Sequence, residues 1–262
     1  MKILKRLFIA LLFLFLYAPI IMLIIFSFND SISFTKWNGF SLRWYSELFK
    51  NRTVMPALMN TLTIAAISAV VSTVIGTASA FGIHYLSKRL KSLVLSVNYL
   101  PVLNPDIVTG VSLLLLFVFF NVNLGYNTLL LSHIIFNIPY VILSVLPKLS
   151  QLNPNLFEAS LDLGANPFKS FFKVILPEIM PGVISGFLMA VTLSIDDFVI
   201  SYFTAGSTNT LSIIIYTMRG QRQRPILNAL SSLMFVSVLI LLISVNFITS
   251  KTQKKTEEKE NI

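Results

Sequence analysis

Long uncharged apolar runs, not alternating patterns, dominate the chain. Residues 7–28, 61–85, 124–146 and 226–249 form runs of 22, 25, 23 and 24 residues. Each is long enough to cross a hydrocarbon core as a helix rising about 1.5 Å per residue. Two further runs reach span length only by tolerating acid: 93–120 contains Asp106, and 182–203 contains Asp196 and Asp197. The pattern predicts an all-α membrane protein with six transmembrane helices. Lys2, Lys5 and Arg6 precede the first run as they would a secretory signal. The run continues apolar through Pro19 without a small-x-small cleavage site, so it is expected to be a retained helix.

Composition agrees. Only 12% of residues are charged, 55% are hydrophobic and mean hydropathy is +0.79, which excludes an ordinary soluble enzyme and a disordered chain. Cysteine is absent, which removes disulfides, thiolate metal sites and a Cys nucleophile. In a soluble protein the net charge of +9 would point to nucleic acid; here basic residues anchor spans beside anionic lipid headgroups. With six spans, the side holding both termini carries 13 Lys and Arg against 7 on the other. The positive-inside rule makes that side cytoplasmic.

Between the spans the chain carries more specific signals. Ala65, Ala66, Ala69, Gly76, Ala78, Ala80 and Gly82 stud the second run, which predicts a helix buried against others, within its own subunit or at a subunit interface. On the outer side, Trp37 and Trp44 accompany Phe34, Phe40, Tyr45 and Phe49. Ser41 followed by Leu42, Tyr45, Leu48 and Phe49 predicts a capped amphipathic helix at the membrane surface, as an aromatic belt or a docking surface for an external partner. In the cytoplasmic stretch 148–181, Asn153 and Pro154 open one short helix through Phe157, Glu158, Leu161 and Asp162 to Gly164. Asn166 and Pro167 open another, with Phe168, Phe171, Phe172 and Ile175 on one face and Pro177 as its stop. Something must cover their apolar face, either the protein's own helix ends or another protein.

Glu158-Ala159-Ser160, then Gly164, then Ile175-Leu176-Pro177 resembles the EAA loop in the membrane subunits of binding-protein-dependent ABC importers. There Glu-Ala-Ala is followed by Gly and later by Ile-x-Leu-Pro; Ser160 stands here for the usual second Ala. The resemblance covers roughly residues 60–249. It implies the type I importer permease (MetI-like) fold, with a core at 54–249, an N-terminal helix and interfacial segment at 1–53 and a cytoplasmic tail at 250–262. It also implies coupling helices in which Glu158, Ala159, Ser160, Asp162, Gly164, Leu176 and Pro177 engage an ATPase. The implied partners are a second related permease, two ATPase subunits that bind the ATP and an external substrate-binding protein, in a bacterial inner membrane. Leu193-Ser194-Ile195-Asp196-Asp197-Phe198, Phe203-Thr204-Ala205-Gly206, Asn228-Ala229-Leu230 and Pro105-Asp106-Ile107-Val108 look like the spermidine/putrescine branch of that family. Where the branch usually has Pro-Glu, this chain has Pro225-Ile226-Leu227, preceded by Arg219, Arg222 and Arg224. That added positive charge would repel a polycation.

The acids are the candidate pathway residues. An ionised Asp in mid-bilayer costs about 2.5 to 3.5 kcal/mol, so Asp106, Asp196 and Asp197 need cations or water. Neighbours on a helix lie about 100° apart, so Asp196 and Asp197 cannot share one lumen unless the helix unwinds. The expectation is one acid in the cavity and the other tied to a helix terminus or basic group. A purely internal lock is the structural alternative. Counting from Gly182 places the pair about 20 Å along the span. For Asp106, an Asn104 cap with Pro105 at the first helical position would put the carboxylate in a first turn that favours it. Phe198, Tyr202 and Phe203 could flank a polyamine's methylenes, but with 22 Phe in the chain they are assigned to lipid or core packing. No Walker A loop, H-E-x-x-H or G-x-S-x-G occurs, and His84 and His133 fall in separate spans as packing residues. The competing functions are an importer permease for another small solute or metal complex, and an intramembrane aspartyl enzyme. Adjacent carboxylates fit the latter badly.

Overall fold

The structure is a computed structural model that describes residues 2–32, 36–218, 225–240 and 243. Its helices are α1 (Lys2–Ser27), α2 (Arg43–Lys50), α3 (Val54–His84), α4 (Lys88–Leu103), α5 (Asp106–Phe119), α6 (Tyr126–Gln151), α7 (Leu156–Asp162), α8 (Pro167–Ser170), α9 (Leu176–Asp196), α10 (Val199–Thr204), α11 (Leu211–Thr217) and α12 (Pro225–Ile240). Four helices, counting α8 and α9 as one, are long and apolar enough to cross a membrane, and the pair α4 and α5 makes a fifth if taken as one span. The far part of the 226–249 run, the 250–262 tail and Arg219, Arg222 and Arg224 lie outside the described residues. Two compact units form, Met1–Met55 with Ile215–Ile262, and Pro56–Ile214.

In the first unit, α2 turns inward by Trp44 and Leu48, while Leu42 and Phe49 are exposed. The buried face is thus offset from the one read from the sequence. Trp44 Nε1 donates to the Asn29 carbonyl at 2.7 Å, and Tyr45 shares a 2.8 Å hydrogen bond with Ser27. These bonds satisfy the polar ends of two otherwise apolar rings.

The second unit is built on α3, α6 and α9. One face of α3 is buried with helical period: Thr61, Ile64, Ala65, Ser68, Ala69, Ser72, Thr73, Gly76, Thr77 and Ala80. Small side chains on that face let backbones approach where lipid supplies no hydrophobic drive. A Cβ on Gly76 would lie 2.7 Å from Val141 of α6, and one on Gly186 of α9 would lie 3.3 Å from Val141 on the opposite side. Val141, fully buried, is therefore gripped between two glycines.

Two prolines behave differently from expectation. The 93–120 run is not one straight span: Pro105 cannot continue the helix, Asn104 is extended, and α5 leaves α4 at 104°. Pro177 does not stop its helix either. Residues Phe171–Ile175 form a π turn, in which Leu176 N–H bonds the Phe171 carbonyl, and the helix runs continuously over Pro167–Asp196. The π register relocates the bond that Pro177 cannot make. The span therefore begins well before Gly182, and it ends at Asp196 instead of reaching Phe203.

Gly76→Ala should destabilise the purified protein by about 1 to 3 kcal/mol through overpacking, and Val141→Ala in the same chain should restore most of the loss. Thermal unfolding in detergent of the two single variants and the double variant measures it.

Candidate functional site

Where α9 ends, two adjacent acids take separate paths. Asp196 is the last helical residue, and Asp197 adopts extended backbone with φ −61° and ψ 121°. Its carboxylate turns to the next helix and accepts the backbone N–H groups of Ile200 at 3.2 Å and Ser201 at 2.7 Å. That is an aspartate cap on α10. The Asp197 carbonyl, freed by the break, accepts the Ser212 hydroxyl at 2.6 Å. Broken backbone within a membrane persists only when its polar groups are satisfied in this way.

His133 of α6, 2% exposed, holds the break from the other side. Its Nδ1 lies 2.6 Å from the Ser194 hydroxyl; its Nε2 lies 3.0 Å from Ser201 Oγ and 3.5 Å from the Asp197 carboxylate. A proton on Nε2 meets two acceptors, and Nδ1 then accepts from Ser194. Ser68 of α3 pairs with Ser194 at 3.2 Å, so three helices meet in one polar layer. The sequence predicts a hydrogen-bonded packing residue at His133, as found, but not which partners it joins. Its partners are 61 and 68 residues distant, so no local motif announces them.

Asp196 stays exposed. Asp106 is the first residue of α5 and also exposed; Asn104 makes no side-chain cap, and Pro105 takes the cap position. The two helices that begin near these acids pack closely, with Gly110 of α5 facing Phe203 and the backbone of Val199 and Ile200. Phe198 and Tyr202 have ring centroids 5.5 Å apart, and Tyr202 is exposed. His84 is remote from this layer, with its ring edge-on to Tyr85. Among the described residues, no three His, Cys, Asp or Glu side chains are grouped to hold a metal ion.

The opposite end of α9 carries the 148–181 segment. α7 holds Glu158, Ala159 and Asp162 exposed and Ser160 buried, the Ser160 hydroxyl donating to the Phe157 carbonyl at 2.6 Å. Asn153 does not cap α7; its side chain accepts from Asn155 N–H, and the helix starts at Leu156. Gly164 has φ +85°, which lets Ala165 N–H reach back to the Ser160 carbonyl at 3.2 Å. Asn166 caps α8 through Lys169 N–H at 2.7 Å, with Pro167 at the helix start. Phe157 and Phe171 pack edge-on against Phe81 of α3, at 5.6 and 4.8 Å. Leu163 and Phe168 are left 90% and 74% exposed. Leu176 is half-buried and Pro177 exposed.

Residues 72–256 match the family model described as "Binding-protein-dependent transport system inner membrane component". The chain is similar to the spermidine/putrescine transport system permease protein PotC of Escherichia coli, 37% identical over 257 residues and 97% of each chain. It is also similar to that organism's putrescine transport system permease protein PotI, 38% identical over 93% of this chain and 89% of the relative. Among solved structures, a chain of a bacterial ABC transporter that imports the acidic polysaccharide alginate superposes with a TM-score of 0.72, at 17% identity and 95% coverage of both. One from the MetNI methionine ABC transporter gives 0.61, at 19% identity over 76% of this chain and 97% of the other. These two likenesses establish the fold.

Replacing Asp197 with Leu should remove the α10 cap and cost about 1 to 2 kcal/mol, whereas Asp197→Asn keeps an acceptor and Asp196→Asn removes none. Unfolding by titrated SDS should rank Asp197→Leu well below the other two, which stay near the parent.

Proposed function

The chain belongs to the family of binding-protein-dependent transport system inner membrane components, and from that membership we propose that it supplies half of a polyamine pathway through the bacterial inner membrane. It is a permease subunit of an ABC importer, a transport component and not an enzyme. In this reading six helices span the membrane with both termini cytoplasmic. A second related permease completes the pathway, two ATPase subunits hold the ATP and an external binding protein delivers cargo.

The observation that carries the cargo reading is the placement of Asp196, an exposed carboxylate at a helix break where its neighbour Asp197 is committed to capping α10. An ionised acid in a membrane-embedded segment costs energy unless a cation or water attends it. A polyamine offers ammonium groups on a methylene chain, suited to carboxylates beside aromatic faces such as Tyr202. The two curated relatives, named for spermidine and putrescine, support the same choice. Asp197, spent on capping α10, supports the break and leaves Asp196 to face cargo. The rival cargo, another small solute or a metal complex, draws on Arg219, Arg222 and Arg224, whose charge opposes a polycation.

For energy input we assign the segment 153–177. Leu163 and Phe168 offer apolar side chains beside exposed Glu158, Ala159, Asp162 and Gly164. Such a patch suits insertion into a groove of the ATPase. ATP binding would draw the ATPases together, and hydrolysis would reset the permease, so the cycle alternates outward and inward openings. Because the helix is continuous over Pro167–Asp196, displacement of α8 is carried along α9 toward the acids.

Uptake of labelled spermidine and putrescine tests the cargo. Asp196→Asn and Asp106→Asn should each reduce it by about tenfold, the equivalent of about 1.4 kcal/mol of lost charge interaction. Unchanged uptake in both takes these acids out of the route. Separately, Glu158→Lys and Gly164→Asp should abolish cargo-stimulated ATPase activity in the assembled transporter while the permease remains inserted. Normal stimulation in both would dismiss the coupling assignment.

A further inference from the structure

Helix α4 has no buried residue, yet its exposed surface is not uniform. Successive residues turn by about 100°, which sorts its positions into three faces. Val94 and Leu95 pack on the core around α6, and Asn98 reaches the Pro139 carbonyl at 3.5 Å. A second face, Leu90, Leu93, Val97 and Leu100, is exposed and wholly apolar, as lipid requires. The third, exposed throughout, is polar at Lys88, Ser92, Ser96 and Tyr99 and ends in exposed Leu103. An open groove of about 420 Å³ runs along it, lined by Lys88, Lys91, Ser92, Leu95, Ser96 and Tyr99.

A helix bathed in lipid on both exposed faces has no reason to keep one of them polar. Ser96 bonds back to its own helix through the Ser92 carbonyl at 2.9 Å, but the hydroxyls of Ser92 and Tyr99 make no hydrogen bond among the described residues. In hydrocarbon each would forfeit its hydrogen bonds, and only water, cargo or protein restores them. Beyond Tyr99 the helix continues to Leu103, the chain turns at Asn104 and Pro105, and the next residue is Asp106.

We propose that the Ser92–Ser96–Tyr99 face of α4 lines the water-filled half of the substrate route between the acid pair and the α7 end of the molecule. It rests on the permease reading above and deepens it, since that reading places only the acids. The hydroxyls replace part of the hydration of a cation leaving Asp196. The groove's lining carries no carboxylate, and its charges, Lys88 and Lys91, lie toward its α7 end, so cargo is captured at the acids and released along a path that does not hold it. The apolar face of the same helix seals the route from lipid.

The native chain contains no cysteine, so single Cys variants report without background from this chain. Ser92→Cys, Ser96→Cys and Tyr99→Cys are compared with Leu93→Cys, Val97→Cys and Leu100→Cys in the whole transporter in membrane vesicles. The probe is a membrane-impermeant cationic methanethiosulfonate, read as a mass shift of this chain. Labelling after denaturation confirms each thiol. Thiol modification follows access to water and the thiolate fraction, so the first three should react about tenfold faster or more. Excess spermidine should slow them, with no change at the second three. Equal slow rates at all six would make the face lipid-exposed, and protection of the first three throughout the ATP cycle would make it a covered protein interface. Either overturns the proposal. Labelling does not depend on which solute is carried: fast labelling that spermidine leaves unaltered keeps the aqueous face and removes the polyamine.

Discussion

Close backbone contact among α3, α6 and α9 is the constraint on which the permease core depends. Lipid tails are as apolar as leucine, so helices in a bilayer gain little by hiding apolar surface and associate through packing and interhelical hydrogen bonds. Here the packing is stacked in layers. Val141 sits between Gly76 and Gly186. Toward one end the polar layer of Ser68, His133 and Ser194 follows, and toward the other the layer of Phe81, Phe157 and Phe171. Because glycine fixes the spacing in the middle, the side chains at both ends can meet at hydrogen-bond and ring-contact distance. A bulkier stripe would separate the helices and lose both.

The same three helices make the break after Asp196 rigid. An unwound turn in a membrane would ordinarily be a weak point, since its N–H and C=O groups have no water to bond. Asp197 takes two of those N–H groups, Ser212 takes its carbonyl, and His133 fixes the carboxylate from a neighbouring helix. The neighbouring acid is thereby free of structural duty. This division of labour resolves the problem posed by two adjacent carboxylates, and it requires the helix to end where it does.

How much of this could be read beforehand depended on the range of the signal. The apolar runs at 7–28, 61–85 and 124–146, the small-residue stripe of α3 and the Asn166-Pro167 cap are local, and each falls on a helix of the structure. Most of the failures involve proline, a competing local turn or partners far along the chain. Hydropathy averages through Pro105, so a helix bent by 104° reads as one straight run. Pro177 reads as a stop because a propensity argument does not foresee a π turn that supplies a new bonding register. Asn153 carried the right residue type for a cap, but its side chain closed a local turn on Asn155 and left the helix to begin at Leu156. His133 was invisible as a bridging residue because its partners were brought to it by the packing of α6 on α9.

The fold alone leaves the cargo open, for the same architecture occurs in a transporter of an acidic polysaccharide and in one of methionine. Cargo must then be selected by the few polar groups that differ. A cationic cargo needs charge where it enters the membrane-embedded site and weak contacts where it leaves, because a route lined throughout with carboxylates would hold a polycation too tightly to release it. In the proposed route, the exposed acids at the start of α5 and the end of α9, followed by the hydroxyls along α4, would provide that gradient of affinity. A permease driven from outside by an ATPase does not need its substrate to bind tightly in the membrane. It needs a brief capture, which, on the proposed coupling, a displacement carried along the continuous helix Pro167–Asp196 would end.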